Sequence, residues 1–464
     1  MSTQTLQETV AAKMARLRRP ISVLESEAVV PKTYLVWGLV NLALSNISTV
    51  IPWLISFSPI LRNAVVISGV LWIIVGAFRL NVPIRLCVPI FLVLLLQAWG
   101  AFSTWAISAQ IGRIKEINAA DFFIVRYLYL YFTASMLVYI QPKARRWILW
   151  MIFIHVGAAS LLGYLQFVGF KPAVDLANSF YPGLNIENWD NRGGVRSTAF
   201  YGFPGHLAIN AAMACMIITG ALLVRRLTKW EIAAFVFFAA ASVMPQARTH
   251  LPALALTVFV FTLAIMARER IRSSWFIIAG IVIASLFLTF GRDKLAYVFS
   301  TNWLDDQNMK YRRNRSWMQA ELVAELYPWT GIGAEPRYWG RGDSMPDKFA
   351  PRTAFDNGWL LVRSSYGLVG VALVAGALLI GTLVPLSLRR NPYESDERKG
   401  YLLALPLMCI AVGVGMYGNN VVTWEPTMYI LFTFAGLAMP TRDEEIRAAQ
   451  LTIPGTTKLR PRNV

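Results

Sequence analysis

Histidine and cysteine are scarce in this chain, three of each in 464 positions. Cys87, Cys215 and Cys409 lie far apart in separate apolar runs, which excludes a disulfide framework or thiolate cluster as an organising feature. His155, His206 and His250 also stand apart. No two His, Cys or carboxylate residues fall at ligand spacing except Asp305 and Asp306, an adjacent pair that reads as the solvated face of a loop. No metal or cofactor is therefore expected. Charge is sparse as well, at 15% of residues, against 56% hydrophobic residues and a mean hydropathy of +0.48. Ordinary globular domains are roughly 45–50% apolar, so a soluble enzyme is excluded. Acids are outnumbered, 26 against 44 Lys and Arg, for a net charge of +18. The basic residues sit in short clusters between apolar runs, as membrane topology is encoded. Nucleic acid is thereby excluded as a partner.

The first 33 residues contain no apolar run, and no cleavable signal peptide is expected. A span needs about 20 apolar residues. Twelve candidates begin near Tyr34, Ile60, Val82, Phe122, Trp147, Gly205, Ile232, Leu251, Trp275, Phe355, Tyr401 and Val421. The seventh runs only from Ile232 to Met244 before Pro245. It is retained because Arg225 to Lys229 and Arg268 to Arg272 can share the cytoplasmic side only if two crossings separate them. With both termini cytoplasmic, the inside segments hold 25 of the basic residues and 11 of the acids. Every short loop then obeys the positive-inside rule. The expected architecture is an all-α polytopic membrane protein of about 12 transmembrane helices. It comprises a cytoplasmic tail 1–33, a transmembrane domain 34–439 and a cytoplasmic tail 440–464.

Two outer loops are long, 171–204 and 291–354. Both are aromatic-rich, and apolar residues recur at helical spacing around Trp317, Ala320, Val323 and Tyr327. A small folded, helical cap on the outer face between spans nine and ten is expected. The tails are polar and basic and are read as mobile, the N-terminal one lying on lipid as a short amphipathic helix.

Within the apolar runs, Arg126 and Arg363 are exceptions to the scarcity of charge. Each can snorkel to the outer interface or contact a ligand. Arg363 follows Asp356 by seven residues and so shares its helical face. Arginines also concentrate outside, at Arg192, Arg196, Arg248, Arg312, Arg313, Arg315, Arg337, Arg341 and Arg352. The positive-inside rule would place them elsewhere. Guanidinium binds phosphate bidentately and is always charged, which suits a diphosphate at a membrane surface. Singly, each can instead pair with outer acids such as Asp190, Glu321, Glu325, Asp343 or Asp347. His155 reads as a packed, hydrogen-bonded residue of span five, whereas His206 and His250, at the outer edge, are open to acid–base work or phosphate contact. Asp356 and Asn357 open span ten. They can cap that helix, and a carboxylate there can also serve as a general base.

The series RSTAFYGFPGHLAIN, MPQART, NRSWMQAELVAELYPWTGIG and FDNGWLLVRSSYGLVG, in this order, resembles the bacterial O-antigen ligase and Wzy-type polysaccharide polymerase superfamily over roughly residues 190 to 375. The resemblance implies a GT-C-like fold and a metal-independent, inverting glycosyltransferase of the bacterial inner membrane. Its substrate would be an undecaprenyl-diphosphate-linked oligosaccharide used at the periplasmic face, in membrane lipid, with a chain-length regulator protein as a further partner. By the resemblance, Arg196 and Arg248 hold the diphosphate together with Arg313 or Arg315, with Arg192 beside them. Asn357, Arg352, Arg363 and Trp317 are candidate substrate contacts. Ligases of this family place a His where this chain has Asp356, which favours polymerase over ligase. Asp356 is then the first candidate base, followed by His206 and His250. A transporter or flippase for lipid-linked glycans competes from another class. Against it, the two halves of the sequence show no similarity, and the polar stripe of Asn41, Ser45, Ser48 and Thr49 on span one reads as helix packing.

Overall fold

Apolar runs bounded by Pro, Gly and basic residues become helices throughout the computed structural model, which describes residues 30–50, 59–110, 125–180, 197–201, 203–245, 247–269, 321, 324–333, 357–389, 394–418, 421 and 425–450. In chain order the helices are α1 (Lys32–Val50), α2 (Pro59–Arg79), α3 (Val88–Gln110), α4 (Val125–Ile140), α5 (Ala144–Phe167), α6 (Lys171–Phe180), α7 (Pro204–Leu222) and α8 (Lys229–Val243). A 3-10 turn, Arg248–His250, follows. The remainder are α9 (Leu251–Glu269), α10 (Gly358–Leu388), α11 (Asp396–Gly418), α12 (Glu425–Leu437) and α13 (Arg442–Gln450). Among the described residues there is no strand. Among the described residues five helices are long and apolar enough to cross a membrane (α3, α5, α7, α10 and α11), and shorter apolar stretches lie in α2, α4, α9 and α12. The chain is thus a helical, polytopic membrane protein. The ninth expected span, near Trp275, and most of the loop 291–354 lie outside the described residues.

The core is built on α7. Seventeen of its 19 residues are buried, and it packs on α5, α8, α9, α11 and α12. Its Ala- and Gly-rich sequence permits that, because small residues let helix backbones approach closely where lipid supplies no hydrophobic drive. Gly220 is the tightest point: a Cβ there would stand 2.3 Å from the Gly400 carbonyl oxygen of α11. On the perimeter the pattern inverts. Phe78, Trp105, Ile154, Phe259 and Leu379 are exposed, as an acyl-chain environment allows.

Helix ends follow local chemistry. Asn81 turns the chain at φ 53° before Pro83, so α3 starts at Val88 rather than near Val82. Thr228 and Glu231 form a reciprocal capping box, and α8 begins three residues before Ile232. Its 15 residues rise about 22 Å, short of the roughly 30 Å hydrocarbon core. Phe235 of α8 stacks on Phe261 of α9 at 3.6 Å between centroids, so the two run antiparallel from the turn between them. The polar stripe on α1 is packing: Asn41 donates to the Val65 carbonyl (2.8 Å) and the Ser45 hydroxyl meets that of Tyr129 (2.5 Å). The side chains of Ser48 and Thr49 lie outside the described residues. In the outer loop 171–204, residues 171–180 form the helix α6.

Of the segments assigned to one side by charge, those carrying Arg85, Arg145, Arg398 and residues 442–447 meet at one end. There, three arginines bind successive carbonyls just past α12: Arg398 to Ala438 (2.8 Å), Arg145 to Met439 (2.7 Å) and Arg85 to Pro440. Orphan carbonyls at a helix C-terminus attract cations in this way. The same arginines hold the chain beyond. Arg145 grips Glu444 through two bonds, 3.0 and 2.8 Å, and Arg85 pairs with Glu445 at 2.7 Å. Contrary to the expectation of a mobile C-terminal tail, residues 442–450 are the docked helix α13. The acidic run Asp443–Glu445 is the reason, since it meets the basic cluster that topology places at this end. Burial alone would raise the Glu444 carboxyl, but the hydrogen bonds and charge of Arg145, with Ser395 and the Thr441 N–H, hold it down to about 2.

Candidate functional site

At the opposite end the chain gathers α7, α9 and α10 by their N-termini around the C-terminal end of α11. The route into α7 is set by α5. Ser197 donates to the Gly163 carbonyl (2.8 Å), and the Gln166 side chain accepts from the Thr198 and Ala199 N–H groups (3.0 and 2.9 Å). Tyr201 then meets His155 Nε2 through its hydroxyl at 2.9 Å. His155 is thus hydrogen-bonded, as its place in span five predicts. Extended Phe203 and then Pro204 start α7, Pro being pre-organised for the first helical turn. His206 follows on that turn, half-buried, against the rings of Tyr201 and Phe203.

The 3-10 turn Arg248–His250 packs on both α7 and α11. His250 is buried beside Gly415, and Thr249 packs against Gly418. His206 and His250 are electrostatic neighbours. Trp359 of α10 donates to the Gly413 carbonyl of the same α11 segment at 3.0 Å, which brings the start of α10 to this place. Asn357 is the N-cap of α10: its side-chain oxygen accepts from the Trp359 and Leu360 N–H groups at 3.0 and 3.1 Å. That oxygen is therefore committed to the helix. Arg363 is half-buried on α10, and its Nε, shielded from solvent, has no hydrogen-bond partner among the described residues.

A feature that the sequence did not announce lies in α10. The helix breaks at Gly367 (φ 67°, ψ −165°), and the segment 327–333 fills the break. Leu368 N–H donates to the Pro328 carbonyl (2.7 Å), while the N–H groups of Ile332 and Gly333 donate to the carbonyls of Ser364 and Ser365 (2.9 Å each). The backbone groups freed by the break are thus satisfied by the loop, as buried backbone requires. From α3, Ser103 bonds the Thr330 carbonyl and Trp99 the Tyr366 carbonyl (2.8 Å). Gly331 (φ 64°) presses on the Ser365 backbone; a Cβ there would lie 2.5 Å from the Ser365 oxygen. The only sequence signals were the GIG triplet at 331–333 and a glycine after the polar run Arg363–Ser365.

The structure therefore brings together His206, His250, the Arg248 backbone and the start of α10 at Asn357. The Arg248 side chain lies outside the described residues. So do Arg192, Arg196, Arg313, Arg315, Trp317, Arg352 and Asp356, and the side chain of Arg126. Among the described residues no group of three or more His, Cys, Asp or Glu stands close enough to hold a metal ion.

A family model described as O-antigen ligase matches residues 233–375. The likeness is to the O-antigen ligase and Wzy superfamily. The matched segment runs from α8 through the 3-10 turn and α9 to the first half of α10 and beyond its break. It contains Arg248, His250, Arg313, Arg315, Trp317, Arg352, Asp356, Asn357 and Arg363, while Arg192, Arg196 and His206 precede it. No curated protein matches the chain. For an O-antigen ligase-like chain, three helix N-termini at one end are chemically apt, since each carries the partial positive charge of its helix dipole towards an anion.

Proposed function

We propose that this protein is an inner-membrane polysaccharide polymerase. It joins undecaprenyl-diphosphate-linked repeat units at the periplasmic face by inverting glycosyl transfer, with both its termini in the cytoplasm. The observation that carries the reading is the O-antigen ligase family match over residues 233–375, which contains Arg248 and the Asp356–Asn357 pair. Arg196 and Arg248, with Arg313 or Arg315 and Arg192, clamp the diphosphate and stabilise the charge that develops on it as it leaves, an electrostatic effect that is strong where water is excluded. Arg352, Arg363 and Trp317 contact the glycan. Asp356 takes the proton of the acceptor hydroxyl as that oxygen attacks the anomeric carbon on the face opposite the leaving diphosphate; His206 and His250 are the alternatives for this role. The capping bonds of Asn357 hold the backbone next to Asp356 at the start of α10.

The family's description as O-antigen ligase favours a second reading, transfer of the whole glycan to another acceptor, as ligases do. The occupant of position 356, an Asp, argues for the polymerase. Purified protein reconstituted in lipid with an undecaprenyl-diphosphate-linked repeat unit distinguishes them. The polymerase produces a ladder of multiples and releases undecaprenyl diphosphate. Transfer to an added acceptor without a ladder selects the ligase. Passage of the lipid-linked glycan across the bilayer with no lengthening rejects both in favour of a flippase. Arg196→Ala and Arg248→Ala are each expected to abolish polymer with expression preserved, and normal polymer from the double variant rejects the diphosphate clamp.

A further inference from the structure

We infer that Gln166, a fully buried residue at the C-terminal end of α5, is a positioning residue that holds a strained turn and thereby places Tyr201 and His206 at the candidate site. The inference rests on the transferase reading for its functional consequence, and on geometry for the rest. Gln166 has no exposure, and all four bonds of its amide are spoken for. Its oxygen accepts from the Thr198 and Ala199 N–H groups at 3.0 and 2.9 Å. Its nitrogen donates to the carbonyls of Ala173 and Ala199, each at 3.3 Å. One side chain thus ties α5, α6 and the entry to α7 together.

What it holds is unusual. Ala199 stands at φ 52°, a left-handed conformation that an L side chain adopts at an energetic cost and that glycine adopts freely. Gln166 binds both the N–H and the C=O of that residue. A strained backbone persists where surrounding bonds over-determine it, and such places cluster at functional sites. Here the turn closes with Tyr201 N–H on the Thr198 carbonyl (3.1 Å), which sends the Tyr201 ring between His155 and His206. Packing alone would be served by an apolar side chain of the same size; here an apolar residue would leave two buried N–H groups without acceptors.

The test compares Gln166→Met, which removes every bond, with Gln166→Glu, which keeps the two acceptor bonds, each alone and with Ala199→Gly. Reconstituted protein is assayed for transfer from the undecaprenyl-diphosphate-linked repeat unit, and hydrogen exchange is followed in peptides spanning residues 197–203. Folding is checked by gel filtration and thermal unfolding. Gln166→Met is expected to lose protection in that peptide and to lower kcat/KM on the order of 100-fold, the loss expected for roughly 1 Å of misplacement. Gln166→Glu, which keeps the two acceptor bonds but sets an oxygen against the Ala173 and Ala199 carbonyls, is expected to lie between the wild type and Gln166→Met in both readouts. Ala199→Gly, harmless alone, recovers part of the activity in the Gln166→Met background, because glycine needs no clamp at that φ; a packing role would gain nothing from it. Wild-type transfer by a deprotected Gln166→Met, or no recovery on adding Ala199→Gly, overturns the inference. If the wild-type protein transfers nothing, the transferase reading fails by itself; unchanged exchange in Gln166→Met would then overturn the clamp separately.

Discussion

Replacing Glu444 by Gln removes one charge from the most buried ion pair described. Arg145 and Glu444 are 3% and 4% exposed in their side chains and joined at 2.8 Å, so Gln leaves a guanidinium inside with no counter-charge. Breaking such a pair from one side costs about 3–5 kcal/mol. An independent route agrees. A carboxyl held at about 2 instead of its ordinary 4.5 corresponds to roughly 3 kcal/mol of stability. Because the folded-state value is the lower one, this contribution is complete above about pH 4.5 and is lost as pH falls towards 2. With unfolding entropy scaled to chain length as in globular domains, the cost is on the order of 3–5 °C in Tm. Tryptophan-fluorescence unfolding in detergent, scanned from pH 7 to pH 2, measures both effects. The wild-type protein should lose its advantage over Glu444→Gln as the pH drops through this window. The apolar double variant Arg145→Met/Glu444→Leu should lie closer to wild type than either single change, since no charge is stranded. Equal Tm values for wild type and Glu444→Gln at pH 7, or parallel acid curves, would refute the reasoning.

The remaining predictions concern close backbone contacts and one cap. Gly220→Ala should lower Tm by an amount reflecting about 1–3 kcal/mol of overpacking, because α7 and α11 must separate to admit the Cβ; the same assay reads it. Gly367→Ala, at positive φ and with a Cβ 2.1 Å from the Trp329 carbonyl oxygen, should release the 327–333 segment, seen as new protease sensitivity in the outer loop at unchanged expression. Asn357→Ala should cost about 1 kcal/mol as a lost cap, while Asn357→Ser retains the stability. If Asn357→Ser is also fully active in transfer, the residue acts by capping and not by touching the glycan.

Much of the helical layout was legible because apolar runs and basic clusters report membrane solvation directly. Starts near Tyr34, Ile60, Gly205 and Leu251 fall within two residues of helices beginning at Lys32, Pro59, Pro204 and Leu251. Errors arose where tertiary contacts decide. The acidic stretch at Asp443 reads as tail until the arginines at positions 85 and 145, distant in sequence, are found beside it. The tenth run reads as one unbroken span because hydropathy does not register a backbone break whose polar groups are satisfied by a loop. At the candidate site, charge and motif order singled out His206, His250 and Asn357. Gln166 escaped notice, since one polar residue in the last turn of an apolar run looks like an interface residue until its partners are known.

The loop seated in the α10 break also joins parts of the chain that are synthesised at different times. During synthesis α3 emerges long before the 327–333 segment, and α10 comes after both. Broken as it is at Gly367, α10 without that segment would carry unpaired carbonyls at Ser364 and Ser365 and an unpaired N–H at Leu368, groups that hydrocarbon does not tolerate. The preceding segment, leaning on Ser103 and Thr104, relieves them. The broken form of α10 is therefore complete only together with the 327–333 segment.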